Sequence, residues 1–373
     1  MGMIVFSPLS SFITISILHL PLSAPELLFL LFIPCFYRTF WPRKIDLNIL
    51  MLILLIWGAV LAISLIYNTY TFFEILGCSR TYLYICIFFT IFYSNRSDSF
   101  RSFVIVSYGA ILGWIIDIVI IIITTTMNND ASIGYGPMIA IPIAITYPAI
   151  TQHRRLAFLI FLGCIFIGIF GALRRVLFIS VIVYLCVLIY QLLSNPNLRL
   201  KILTVCCISF SALGLSYPLI KDWMHDYSWD LYVRIIVKSE DFFNGKSNSG
   251  DDLRNHIISD YFNNFYEYIA PRGFISKQYG SSDTGIYNDF PLMEISYTFG
   301  IITIFLLIAF FGFKAILILK RVLTSSLNEV YLIYPIGFLT ICILLFLEGS
   351  FLTFPYQSIY VGYLLGGLSK YHK

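Results

Sequence analysis

The feature that most constrains this chain is a procession of long apolar runs with almost no charge inside them. They fall near 3–20, 25–40, 47–67, 80–94, 102–124, 135–150, 156–173, 176–193, 202–219, 291–313, 327–347 and 355–369. A helix that crosses the roughly 30 Å hydrocarbon layer needs about 20 mostly apolar residues. Twelve such runs in 373 residues leave little room for anything but a membrane fold. Only 12% of the residues are charged, too few to cover the surface of a soluble body of this size. The expectation is an all-α polytopic integral membrane protein with about 12 transmembrane helices. Residues 1–373 form a single membrane domain, and 220–290 form a large loop between spans nine and ten. The first run is the weakest, because Ser7, Pro8, Ser10, Ser11 and His19 interrupt it; without it the count is eleven.

Orientation is read from lysine and arginine, which are retained on the cytoplasmic side. Arg43/Lys44, Arg96/Arg101, Arg154/Arg155, Arg199/Lys201, Lys314/Lys320/Arg321 and Lys370/Lys373 occupy every second gap. With twelve spans these gaps and both termini share one side. The first charged side chain is Glu26, so the basic start of a cleavable signal peptide is missing and the first run reads as a membrane segment. The net charge of +4 reflects this loop bias and does not make a nucleic-acid surface. Seven of the eight cysteines lie inside apolar runs, where cysteine acts as a small hydrophobe. Cys78 alone is near a loop. No cysteine or histidine spacing matches a metal site.

The 220–290 loop holds most of the acidic residues. Trp223, Tyr227, Leu231 and Ile235 recur every four residues in 221–238, and Leu253, Ile257, Tyr261 and Phe265 do so in 251–266. Both patterns predict amphipathic helices at the membrane surface. Residues 244–250 read as a turn. The loop aromatics Trp223, Tyr227, Trp229, Tyr232, Phe262, Phe265 and Tyr266 suit either headgroup anchoring or stacking on sugars.

Ionisable residues at membrane depth are costly and are functional candidates. Asp117 lies toward the outer end of the fifth span. Arg80 opens the fourth, Arg174 and Arg175 occupy the hairpin between spans seven and eight, Asp289 and Glu294 flank the start of span ten, and Glu348 ends span eleven. All gather on the outer side. Arg80 with Glu74 equally suits an interfacial ion pair, Asp117 a hydrogen bond between helices, and Glu348 an anchor. Two adjacent arginines in an outer hairpin oppose the positive-inside bias, so something there favours positive charge. Arg254, in Gly250-Asp251-Asp252-Leu253-Arg254-Asn255-His256, opens the second loop helix. Its guanidinium suits phosphate oxygens or a local pair with Asp251 or Asp252.

Three marks in 165–310, together with the topology, resemble the Wzy-type O-antigen polymerases, relatives of the O-antigen ligases. The first is Gly171-Ala172-Leu173-Arg174-Arg175-Val176-Leu177, an arginine in an outer hairpin before an aliphatic span. The second is the large outer loop with Arg254 and Pro271-Arg272-Gly273. The third is Asp289-Phe290-Pro291-Leu292, with Gly300 eleven residues after the aspartate. The chain departs from the family in lacking Ser before the hairpin arginine and in having Phe290 where Asn is common. It has Asp289 where the ligases have His, which favours a polymerase. The resemblance implies a GT-C-like membrane fold in the bacterial inner membrane, acting at the outer leaflet. Donor and acceptor would both be undecaprenyl-pyrophosphate-linked oligosaccharides, with a chain-length regulator as a candidate partner and no cofactor or metal. On that footing Arg174, Arg175, Arg254 and Arg80 bind the pyrophosphate. Asp289 is the general base, with Asp283 and Glu294 as alternatives. A transporter or flippase of lipid-linked glycan is the rival reading from a different class, and a ligase the rival within it.

Overall fold

A computed structural model describes residues 14–17, 20–23, 47–67, 71–94, 100–125, 138–151, 153–170, 174–194, 204, 217–226, 229–237, 240, 249–274, 290–347 and 355–370. Near the N-terminus, strands β1 (Thr14–Ile17) and β2 (Leu20–Ser23) pair antiparallel, with Thr14 opposite Ser23 and Ile17 opposite Leu20. This corrects the first expected span. Pro21 cannot donate a helical hydrogen bond, and the run Thr-Ile-Ser-Ile favours an extended backbone. The expected span 25–40 lies outside the described residues.

The helices of the bundle are α1 (Leu47–Tyr67), α2 (Phe72–Ser94), α3 (Phe100–Thr125), α4 (Ala140–Ile150), α5 (Arg154–Phe170) and α6 (Arg174–Ser194). In the loop region follow α7 (residues 217–226), α8 (Trp229–Tyr232, continued by a π turn at Val233–Val237) and α9 (Ser249–Asn263). The chain closes with α10 (Pro291–Phe299), α11 (Ile301–Leu323), α12 (Ile333–Leu347, preceded by a 3-10 turn Glu329–Leu332) and α13 (Pro355–Lys370). Among the described residues, six helices are long and apolar enough to cross a membrane: α1, α2, α3, α6, α11 and α12 with its 3-10 turn. This is a helical, polytopic, membrane-embedded protein.

Three boundaries differ from expectation in ways that matter for the site. Helix α2 begins at Phe72, eight residues before the expected start, because Thr71 and Glu74 form a capping box. The Thr71 amide donates to Glu74 Oε2 at 2.8 Å and the Glu74 amide to Thr71 Oγ1 at 3.4 Å. Arg80 therefore lies about 12 Å inside the helix instead of at its mouth. The expected span 291–313 is broken at Gly300, whose φ of 82° interrupts the helix. The short α10 precedes the full crossing, α11. Helix α4 has only 11 residues and contains Pro142 and Pro148, so it covers about 16 Å, half the layer.

Paired contacts fix the helix directions. A Cβ at 362 would meet Phe88 and one at 366 would meet Phe92, so α13 and α2 run parallel. Gly168 faces Leu177 while the Phe161 and Tyr184 rings stack, so α5 and α6 are antiparallel. Gly337 faces Leu364 while Gly367 faces Tyr334, so α12 and α13 are antiparallel. Gln191 Nε2 donates to Ala149 O at 3.1 Å, bringing the ends of α4 and α6 to one level, and Tyr190 lies near Glu329 at the start of α12. Helices α2, α4, α6, α11 and α13 thus finish at one end of the bundle. Arg154, Arg155, Lys320, Arg321 and Lys370 all stand at that end.

One consequence is topological. Helices α6 and α11 run the same way, so the chain between Ser194 and Pro291 passes from the basic end to the opposite end. By sequence, the apolar stretch available for that passage is 202–219.

The core is apolar and rich in rings. Phe103 stacks on Tyr363 at 3.9 Å, and Phe92 meets both edge-on at 5.3 and 4.7 Å. Ser358, Gly362 and Gly366 recur every four residues on α13. The glycines let the α13 backbone approach α2, the small-residue contact favoured between membrane helices, where lipid supplies no hydrophobic drive to association.

Candidate active site at the end opposite the basic residues

Helix α10 organises this end. Pro291 at its first turn needs no amide partner, and Gly300 stops it by leaving the helical region. Its polar side chains point inward: Glu294, Ser296 and Thr298 are each about 1% exposed or less. Each of these three side chains has a hydrogen bond, as burial favours. The Tyr82 hydroxyl of α2 donates to Glu294 Oε1 at 2.7 Å. The Tyr261 hydroxyl of α9 and Ser296 Oγ lie 2.7 Å apart. Thr298 Oγ1 donates to the Glu294 carbonyl at 2.9 Å.

A strap of chain, Ile269–Phe274, crosses this helix. The Arg272 amide donates to the Tyr297 carbonyl at 2.8 Å. The Phe274 amide donates to Ser64 Oγ of α1 at 2.6 Å. Both ends of the arrangement require glycine. Gly273 (φ 91°) lies so close to Ser64 that a Cβ would collide with its hydroxyl and backbone, and at Gly300 a Cβ would sit 2.7 Å from the Ile269 carbonyl. An L side chain is disfavoured at these φ values whatever the space. Phe274 then packs on Tyr82, with centroids 5.5 Å apart, and on Phe299 at 5.9 Å.

The strap presents Arg272. Its guanidinium carbon lies 5.7 Å from the centre of the Tyr297 ring, one helical turn from Glu294. Among the described residues, no carboxylate forms an ion pair with it. A half-buried cation on an aromatic face is suited to an anionic ligand. Two loop phenols stand nearby. Burial pushes the Tyr268 hydroxyl up to about 12, with the Glu267 charge adding to it. Burial also raises Tyr261, against a lowering hydrogen bond from Ser296.

No family model, curated protein or solved structure matches this chain.

Arg80 is half-buried in the third turn of α2. Arg174 and Arg175 are the first two residues of α6, where the helix dipole favours negative charge and whose own first turn contains no acidic residue. The Arg175 side chain is half-buried; that of Arg174 lies outside the described residues. Arg254 is the sixth residue of α9, so it does not open the helix and the first-turn amides lie a turn before it. Its side chain, and all of Asp283, Asp289 and Glu348, lie outside the described residues. Asp117 is 5% exposed within α3. Among the described residues no cluster of three or more His, Cys, Asp or Glu side chains is arranged to hold a metal ion.

The loop helices differ from their expected faces. Helix α9 buries Tyr261, but its α-helical register ends at Asn263, so Phe265 turns outward and is half exposed. In the first loop segment Met224 and Ile236 are buried while Trp223 is exposed. Sequence reasoning missed Tyr82, Tyr261, Ser296 and the role of Arg272. The Pro-x-Gly around Arg272 was the available signal; nothing in the chain advertises that Tyr82 meets Glu294 across 212 positions.

Proposed function

We propose that this chain is a glycosyltransferase of the O-antigen polymerase kind. It would transfer an undecaprenyl-pyrophosphate-linked glycan chain onto the non-reducing end of a lipid-linked repeat unit. On this reading the basic end faces the cytoplasm, both termini are cytoplasmic, the fold is GT-C-like with about 12 spans, and the site faces the outer leaflet of the inner membrane. The observation that carries it is Arg272, mounted on the Tyr297 ring beside buried Glu294, at the bundle end to which Arg80 and Arg175 also belong.

The chemistry asked of such a site is modest, because a sugar pyrophosphate already has a good leaving group. The acceptor hydroxyl attacks the anomeric carbon and the bond from that carbon to the phosphate oxygen breaks. Charge develops on the departing pyrophosphate, where arginines supply electrostatic stabilisation. We assign this to Arg174, Arg175 and Arg254, with Arg80 in support, and add Arg272. The hydroxyl proton passes to a carboxylate, assigned to Asp289 with Asp283 and Glu294 as alternatives. Direct attack inverts the anomeric centre. A chain-length regulator is the expected protein partner.

The rival with an observation of its own is a transporter or flippase, because Asp117 is buried in the interior of a crossing helix, as ion-coupling carboxylates are. The deciding experiment is complementation of a polymerase-null strain, with lipopolysaccharide length read on a gel. The wild-type chain restores laddering, while Arg272→Ala and Arg175→Ala give single capped units at normal protein levels. Laddering that survives in Arg174→Ala, Arg175→Ala, Arg254→Ala, Arg272→Ala and Asp289→Ala alike overturns the assignment. Accumulation of free polymer on loss of the protein indicates a ligase. Uptake of labelled lipid-linked glycan into proteoliposomes indicates the transporter.

A further inference from the structure

The segment 217–240 is tied back on itself. Tyr217 OH and Lys221 Nζ, on α7, both donate to Glu240 Oε1 at 2.8 Å, closing a short helical hairpin. His225, Trp229 and Tyr232 gather in it, with ring centroids 5.1–5.4 Å apart. Met224 and Ile236 are buried. What the hairpin shows outward is unusual for a polar loop: Leu219 is 72% exposed, Trp229 63% and Trp223 47%. Leu219 and Trp223 are one turn apart on α7, on the side away from Met224.

Its level relative to the membrane follows from the helix directions. The chain leaves α6 at the basic end and reaches α10 at the opposite end, and the apolar stretch available for the passage ends at 219. By sequence, the hairpin begins where that apolar stretch ends. A side chain exposed at that level meets lipid headgroups and the upper acyl chains, the environment that tryptophan prefers.

We propose that residues 217–240 form an interfacial hairpin that docks onto the bilayer surface at the end opposite the basic residues, through Leu219, Trp223 and Trp229. The occupant is the lipid surface itself, and zwitterionic headgroups suffice. Asp222, Asp226 and Asp230 offset the local lysine and arginine, so the contact depends on apolar and aromatic insertion, not on charge. This inference does not depend on the glycosyltransferase reading.

The test uses the full chain reconstituted in phosphatidylcholine vesicles whose acyl chains carry bromine either close to the headgroup or near the chain end. The tryptophan emission that distinguishes wild type from the Trp223→Phe/Trp229→Phe variant is expected to be quenched roughly twofold more by the shallow bromines, matching insertion of about 5–10 Å. Equal quenching at both depths, or quenching of that emission mainly by aqueous iodide, overturns it. Should the double variant fail to fold, Leu219→Cys labelled with bimane and read against the wild-type background answers the same question. Shallow-bromine quenching of the label supports the proposal, and iodide quenching overturns it. Protection from iodide that appears only when a soluble oligosaccharide is added also overturns it, since that result makes the rings a sugar platform.

Discussion

Two regions of this protein depend on glycine for close backbone approach, and they use it differently. In the seam between α13 and α2, Gly362 and Gly366 are ordinary helical residues that let one apolar helix lie against another. Around α10, Gly273 and Gly300 adopt positive φ and carry the strap that holds Arg272 over Tyr297. The seam joins regular elements, so its loss is a loss of the bundle. The strap joins irregular ones, so its loss is local. The stability of the bundle and the proposed site therefore depend on separate parts of the molecule, and substitutions should separate them.

The largest effect is expected at the seam. A Cβ at 362 would lie 2.6–2.8 Å from Phe88 Cβ, the Ile85 carbonyl and the Phe89 amide, with backbone on two of three sides. Gly362→Leu should destabilise the protein by at least about 3 kcal/mol in thermal unfolding in lipid nanodiscs. Gly312→Ala is the control, because its Cβ would meet only Phe338, at an ordinary 3.7 Å. Equal loss in both variants would erase the distinction drawn for the seam.

Next comes the strap. Gly273→Ala imposes about 1–2 kcal/mol of backbone strain on top of the Ser64 clash. It should free the Arg272 and Phe274 amides to exchange with deuterium and abolish laddering, while the unfolding temperature falls far less than in Gly362→Leu. A smaller effect is expected from Tyr82→Phe, which removes one hydrogen bond from a buried carboxylate and should cost about 1–3 kcal/mol. Glu294→Gln retains an acceptor for Tyr82 and should cost less than Glu294→Ala.

A pH effect is smaller still. The Tyr268 hydroxyl ionises near 12 in the folded protein, above its ordinary value, because burial disfavours the phenolate. Its contribution to stability is fully present below pH 10 and is lost as pH rises through about 12. Ultraviolet titration should show one high-titrating phenolate fewer in Tyr268→Phe. The smallest effect belongs to the basic end, where exposed Lys320→Ala should change stability by no more than about 0.5 kcal/mol.

Much of the bundle was legible in the chain. The spans at 47–67, 102–124, 176–193 and 355–369 match helices within two residues at each end, because apolar length is a local property. The start of α2 was legible too, in the Thr71–Glu74 capping box, but the charge at Arg80 obscured it. The break at Gly300 was not, since an apolar run reads the same whether or not a glycine within it takes positive φ. The same holds for the hairpin in β1 and β2, where an apolar run shows pairing only through its Pro and β-branched residues.

By itself the sequence determined the solvent this protein folds in, the six described helices long and apolar enough to cross it, and the end at which lysine and arginine collect, because each of these depends on side-chain transfer energies summed over neighbouring residues. Only the tertiary structure decided that Tyr82 donates to Glu294, that Ser64 holds the strap, and that Arg272 rests on Tyr297. Those contacts join residues 25 to more than 200 positions apart. They exist because a buried polar group must find a partner in space, and no pattern along the chain says which one it will be.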